Sequence, residues 1–175
     1  MPAINQCLRL ICVLTLIGVP LKSSIASLSY DLEVELRPDS GEMTVTNTVT
    51  VDRPVERFEF VLNAGLAVGA EHATLETLHR SRDGLRVAYR ATPQAPTDRL
   101  TLRYRGRPVF SDRRSMGGMP QGEVGAQGVY PDAGSAWYPL FAEPGSAMRL
   151  AVKLPDGWQS VSVGRRGAGE GRQEW

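Results

Sequence analysis

Period two dominates the chain. From Tyr30 to Arg37, the apolar residues Tyr30, Leu32, Val34 and Leu36 alternate with Asp31, Glu33, Glu35 and Arg37, as in a strand with one face on a core and one in water. Pro38-Asp39-Ser40-Gly41 is turn chemistry, and the run after it sets Met43, Val45, Val49 and Val51 against Thr44, Thr46, Thr48 and Thr50. Valine and threonine are β-branched and suit a pleated surface on either face, so the two runs predict a hairpin. Further strands are predicted at 57–62, 84–90, 99–104, 148–154 and 159–163. The stretch 70–80 fits a short helix or another strand, and its periodicity leaves both open. Strands at this spacing, parted by Gly, Pro and Asp turns, predict an all-β fold, an antiparallel sandwich or saddle of packed sheets. One stretch breaks the rhythm: 106–136 is a long connection rich in glycine, including Met116-Gly117-Gly118-Met119-Pro120. A loop beyond about 15 residues is either functional or covered by a neighbouring domain.

The first 26 residues stand apart from that pattern. Arg9 precedes an apolar run from Leu10 to Val19, and Ser24-Ile25-Ala26 places small residues where a signal peptidase reads, which predicts a secretory signal over 1–26 and a domain over 27–175. An uncleaved membrane anchor is the competing interpretation, but Pro20 and Lys22 stop the run short of the ~18 apolar residues a span needs. Both cysteines, Cys7 and Cys12, fall inside this leader, and the Arg9-Leu10-Ile11 before Cys12 lacks the small residues of a lipobox. The exported chain therefore has no disulfide framework and no thiolate nucleophile. Its expected location is the periplasm or the exterior, with association to a membrane left open.

A net charge of +1 over 175 residues conceals an asymmetry. Residues 27–79 hold ten Asp or Glu against three Arg, whereas 80–114 hold ten Arg against three Asp. Arg99, Arg103 and Arg105 alternate with Leu100, Leu102 and Tyr104, so the block resembles the wet face of a strand that pairs with the acidic half. No nucleic-acid motif accompanies it, and no nucleic-acid partner is expected.

Catalytic constellations are scarce. The only histidines are His72 and His79, no G-x-S-x-G is present, and the glycines of the long connection are not followed by Gly-Lys-Ser or Gly-Lys-Thr. His72, Glu76 and His79 offer zinc-type ligands, but seven residues separate the histidines and no H-E-x-x-H occurs, so they are expected to be surface side chains. Glu33 and Glu35 are expected to share one solvated strand face. Tyr130, Trp137 and Tyr138 form either an aromatic binding surface or part of the core, and burial is the expectation for residues this large.

Four blocks in order carry a family resemblance: S-Y-D-L-E-V-E-L from Ser29, R-L-T-L-R-Y-R-G from Arg99, W-Y-P-L-F-A-E-P from Trp137, and L-A-V-K-L-P-D-G-W from Leu150. Together they resemble the N-terminal domain of the aminopeptidase N family of zinc peptidases. That family's F-P-C-F-D-E-P stretch falls in register on Tyr138, Pro139, Leu140, Phe141, Ala142, Glu143 and Pro144, with Leu140 in place of cysteine and Ala142 in place of aspartate. The resemblance implies a β-saddle that packs on a downstream catalytic domain and helps shape a peptide pocket. It implies zinc in the full-length protein and none in this chain, because G-x-M-E-N, H-E-x-x-H and the family's catalytic tyrosine belong to the next domain. It also implies that the first domain runs on past Trp175. The resemblance makes Gln127 the candidate for a family glutamine that helps bind the substrate's free amine. Trp137, Tyr138, Pro139, Phe141, Glu143 and Pro144 are structural members of the motif. Two other functions fit the same residues: a stand-alone secreted β-sandwich that binds a peptide, glycan or protein, and the scaffold domain of a pseudopeptidase.

Overall fold

The computed structural model describes residues 27–111, 122–143, 145, 147–167 and 173–175. The leader over 1–26, the Met116–Pro120 run and Pro144 of the motif lie outside the described residues.

The predicted hairpin forms from β1 (Leu28–Arg37) and β2 (Glu42–Val55), paired antiparallel from Leu28↔Val51 to Arg37↔Glu42. Its turn is a 3-10 element over Pro38–Ser40, closed by Gly41 at φ 69°, whose N–H donates to the Pro38 carbonyl at 3.1 Å. Such a left-handed position favours glycine. Alternation does what the sequence implies: Leu28, Leu32, Val34, Val45 and Val49 are buried, while Asp31, Glu33 and Thr44 face water. Asn47 breaks the pattern. It occupies the apolar face of β2, is fully buried, and neither its Nδ2 nor its Oδ1 has a hydrogen-bond partner among the described residues.

Six further strands and a small two-stranded unit follow the hairpin or join it. They are β3 (Phe58–Asn63), β4 (Leu66–Ala70), β5 (Ala73–Arg80), β6 (Arg86–Pro93), β7 (Thr97–Gly106) and, after a two-stranded unit of β8 (Gly122–Gly125) and β9 (Gly128–Pro131), β10 (Ala147–Lys153). A two-residue β11 (Gln173–Glu174) completes a six-stranded sheet of order β11-β10-β1-β2-β7-β4. The second sheet has the order β3-β6-β5. Leu32, Val45, Leu100 and Leu102 from the large sheet and Phe58, Phe60 and Leu62 from the small one form a single buried cluster. The all-β expectation holds, and 70–80 resolves as a strand.

Three details depart from expectation. The sheet is not wholly antiparallel, since β1 pairs with β10 in parallel from Ser29↔Ala147 to Glu35↔Lys153. The glycine-rich connection is not structureless, because β8 and β9 pair from Gly122↔Pro131 to Gly125↔Gly128. And 159–163 forms no strand: Val161 and Val163 alternate correctly but are 96% and 93% exposed, and no strand among the described residues pairs with them. Conversely β4 was not expected, since Ala67, Gly69 and Ala70 have weak strand preference and rely on pairing with β7.

The charge asymmetry is used between the halves. Arg90 pairs with Glu59 at 2.9 Å and Glu76 at 3.3 Å, Arg103 with Glu71, and Arg107 with Glu42 at 3.9 Å. These are surface pairs, each worth at most about 1 kcal/mol, so they decorate the solvated faces without deciding the fold.

Candidate functional site

The stretch from Trp137 is delivered by a clasp at its N-terminal side. Asn63, at the end of β3 and fully buried, donates through Nδ2 to the carbonyls of Val109 and Ser135, both at 2.8 Å. Its Oδ1 accepts from the N–H groups of Val109 and Gly65, both at 2.9 Å. One side chain thus holds both ends of the glycine-rich connection against β3. The approach is close enough that a Cβ on Gly65 would collide with the Arg107 carbonyl, and one on Gly106 with the Gly65 carbonyl. Beyond the clasp, Asp132 caps a short 3-10 turn over Ala133–Ser135 by accepting from Gly134 N–H at 2.9 Å. Ala136, in the left-handed region at φ 56°, then turns the chain toward Trp137.

The motif block packs along β3 and over β1. Leu140 exchanges both backbone hydrogen bonds with Val61, at 2.8 and 2.9 Å. Trp137 and Pro139 are buried, while Tyr138, Phe141 and Glu143 are half-buried. The rings interlock: Tyr138 meets Trp137 edge-on at 5.1 Å and Tyr30 edge-on at 5.5 Å, and Phe141 lies 5.8 Å from Phe60 and 6.2 Å from Tyr30. Aromatic pairs in such geometry contribute beyond their buried area. Gly145 lies so close to the Tyr30 ring that a Cβ would stand 2.6 Å from it. Burial pushes the phenol of Tyr30 well above its ordinary range, with Tyr138 adding to the shift and a backbone bond from Phe141 opposing it. Burial, then the nearby Asp132, raises the phenol of Tyr138 as well, so both rings stay neutral.

Trp137 and Tyr138 separate two concavities. On the Tyr138 side lies a cavity of about 410 Å³ lined by Tyr30, Phe141, Glu143, Gly145 and Met148 among others. On the Trp137 side a groove of about 800 Å³ runs between the β1–β10 face and the β8–β9 hairpin, and all three tryptophans, Trp137, Trp158 and Trp175, line it.

Gln127 sits in the two-residue turn between β8 and β9, exposed at the mouth of the groove. It lines a different concavity from Glu143, so the structure does not bring these two together. Of the three aromatics, Trp137 and Tyr138 pack inward, whereas Tyr130 is 61% exposed on the β8–β9 hairpin. His72 lies in the β4–β5 turn at φ 54°, Glu76 is engaged by Arg90, and a register shift falls between Thr77 and His79. Among the described residues no group of three His, Cys, Asp or Glu could hold a metal. Sequence reasoning missed Asn63, Tyr30 and Phe60 as the frame of the block. The Asn63-Ala64-Gly65 turn signal after an apolar run was the available clue for the first of these.

Neither a family model nor a curated protein sequence matches the chain. Solved structures do. An M1 zinc metallopeptidase from Deinococcus radiodurans superposes with a TM-score of 0.53 at 20% identity, over 85% of this chain and 38% of that one. A mutant M1 zinc metallopeptidase from the same organism, bound to a Tyr-Ser-Ala substrate, gives 0.51 at 19% identity, over 86% and 37%. Native leukotriene A4 hydrolase from Saccharomyces cerevisiae gives 0.53 at 14% identity, over 86% and 26%. The chain has the fold of part of an M1 zinc metallopeptidase. It spans between 26% and 38% of the length of these structures. The M1 likeness matches the resemblance carried by the four sequence blocks, and at these identities it speaks to fold.

Proposed function

We propose that this chain is the non-catalytic N-terminal β-domain of an exported, aminopeptidase-N-like zinc metallopeptidase, packing on a catalytic domain and shaping its peptide pocket. The observation that carries the reading is the coincidence of two independent likenesses. The M1 fold extends over 85–86% of the chain, and the described part of the block matching the family's F-P-C-F-D-E-P stretch, residues 138–143, packs against β1 and β3 through Tyr138, Leu140 and Phe141. Zinc belongs to the catalytic domain in this reading, which the likeness to M1 zinc metallopeptidases supports. This chain contributes shape and the Gln127 turn at the mouth of the tryptophan-lined groove. The test is the product of the reading frame continued past codon 175. Stoichiometric zinc and release of an amino-terminal residue from an aminoacyl anilide are expected, together with a mature N-terminus at Ser27 in the exported fraction. A frame that runs on without H-E-x-x-H overturns the active-peptidase reading, and a zinc-free, inactive longer product leaves the pseudopeptidase scaffold in its place.

A second reading, a secreted binding module, draws on the groove itself. Three tryptophans around about 800 Å³ of mostly apolar space make a surface suited to a peptide or glycan. Quenching of tryptophan emission by a peptide or glycan library against the 175-residue chain supports it, and unchanged emission throughout removes it.

A further inference from the structure

The smaller cavity has a composition that the peptidase reading does not use. Its described lining of Tyr30, Tyr138, Leu140, Phe141, Glu143, Gly145, Ala147 and Met148 contains three aromatic rings and one carboxylate, and no Lys, Arg or His among the described residues. Glu143 is half-buried and has neither a hydrogen bond nor an ion pair to any described residue. The nearest basic side chain along β10, Arg149, is committed to Asp31 at 2.7 Å and Glu174 at 2.8 Å. Aromatic faces attract cations through the ring quadrupole, and the attraction grows when water is partly excluded. A carboxylate set among such rings adds a charge-assisted hydrogen bond. About 410 Å³ is ample for a four-carbon cation, within the usual range of small-molecule sites.

We propose that the cavity framed by Tyr30, Tyr138, Phe141 and Glu143 is a binding site for an organic cation, an alkylammonium or guanidinium group. The rings provide the apolar wall and Glu143 the counter-charge. Close contact of Gly145 with the Tyr30 ring fixes that wall, because any side chain at 145 would displace it. The cation is either a free amine or the tip of a lysine or arginine side chain from a docked protein. The site stands on residues of this chain alone, so it holds or fails separately from the peptidase reading.

The experiment is a nuclear magnetic resonance titration of the full chain with butylammonium, propylguanidinium and tetramethylammonium chlorides, with 3,3-dimethylbutanol as the neutral match. Saturable shifts at the amides of Phe141 and Gly145 are expected for at least one cation, and none for the alcohol. Glu143→Gln, which keeps the side-chain volume, is expected to weaken binding about tenfold, the loss of one charge-assisted bond. Preference for butylammonium or propylguanidinium identifies a side-chain tip as the ligand, and preference for tetramethylammonium a free quaternary amine. No saturable shift with any cation, an unchanged affinity in Glu143→Gln, or equal binding of the alcohol overturns the proposal.

Discussion

Asn63→Ala removes the clasp that closes the glycine-rich connection. The side chain makes four hydrogen bonds, to Val109 N–H, Val109 C=O, Ser135 C=O and Gly65 N–H, all between 2.8 and 2.9 Å. Each bond contributes about 1 kcal/mol net, and a partner stranded without solvent costs about 1–3 kcal/mol. Partial entry of water offsets some of that penalty, which places the loss near ~4 kcal/mol, a large share of the ~5–15 kcal/mol typical of a domain. In urea, with a slope of about 2 kcal/mol/M, the midpoint should fall by about 2 M while the slope stays constant. Gln127→Ala, an exposed turn position, serves as the control and should change stability by less than about 0.5 kcal/mol. A loss below about 1 kcal/mol in Asn63→Ala would refute the clasp, since it would mean the four backbone groups find equivalent partners without it.

Two other outcomes follow from buried polar groups. Asn47→Leu replaces an amide whose two polar atoms have no partner among the described residues, and it should raise the urea midpoint by the equivalent of about 1 kcal/mol; a lower midpoint would show that Asn47 is satisfied. The phenols of Tyr30, Tyr89, Tyr104 and Tyr138 are all held above the ordinary value of 10.0, chiefly by burial. Because the folded value is raised and the neutral form is the one stabilised, the fold keeps this contribution below about pH 10 and loses it as pH rises further, where only the unfolded chain releases protons. Tyrosinate absorbance in the near ultraviolet should therefore rise cooperatively with unfolding. A non-cooperative rise of these four phenols at ordinary pH would show that their rings are accessible in the native state.

What the sequence made legible was local. Alternation located β1, β2 and β7, where every second residue along the apolar row is buried, while β6 and β10, also expected, bury the adjacent pairs Val87–Ala88 and Ala151–Val152. It failed where pairing, not pattern, decides. The 159–163 stretch has the pattern without a paired strand among the described residues, whereas β4 has the partner strand without the pattern. The parallel β1–β10 pairing joins residues 118 apart, a separation about which alternation carries no information. At the candidate site, the block from Trp137 was legible as a unit from its residues, but its frame was not. Asn63 resembles a turn residue and Tyr30 an ordinary core residue until the chain is folded, and the carboxylate of Glu143 acquires its aromatic surroundings only through β1.

The β1–β10 ladder also imposes an order on folding. During synthesis β1 acquires β2 after some twenty residues, yet its other edge stays unpaired until β10 emerges, more than a hundred residues later. Contacts of such separation fold slowly, and an open edge in the interval is a template for pairing with another chain. The centre of the large sheet is thus the last place to become safe. Export before folding, or a chaperone on the nascent β1–β2 hairpin, would protect this protein at the stage when it is most exposed to self-association.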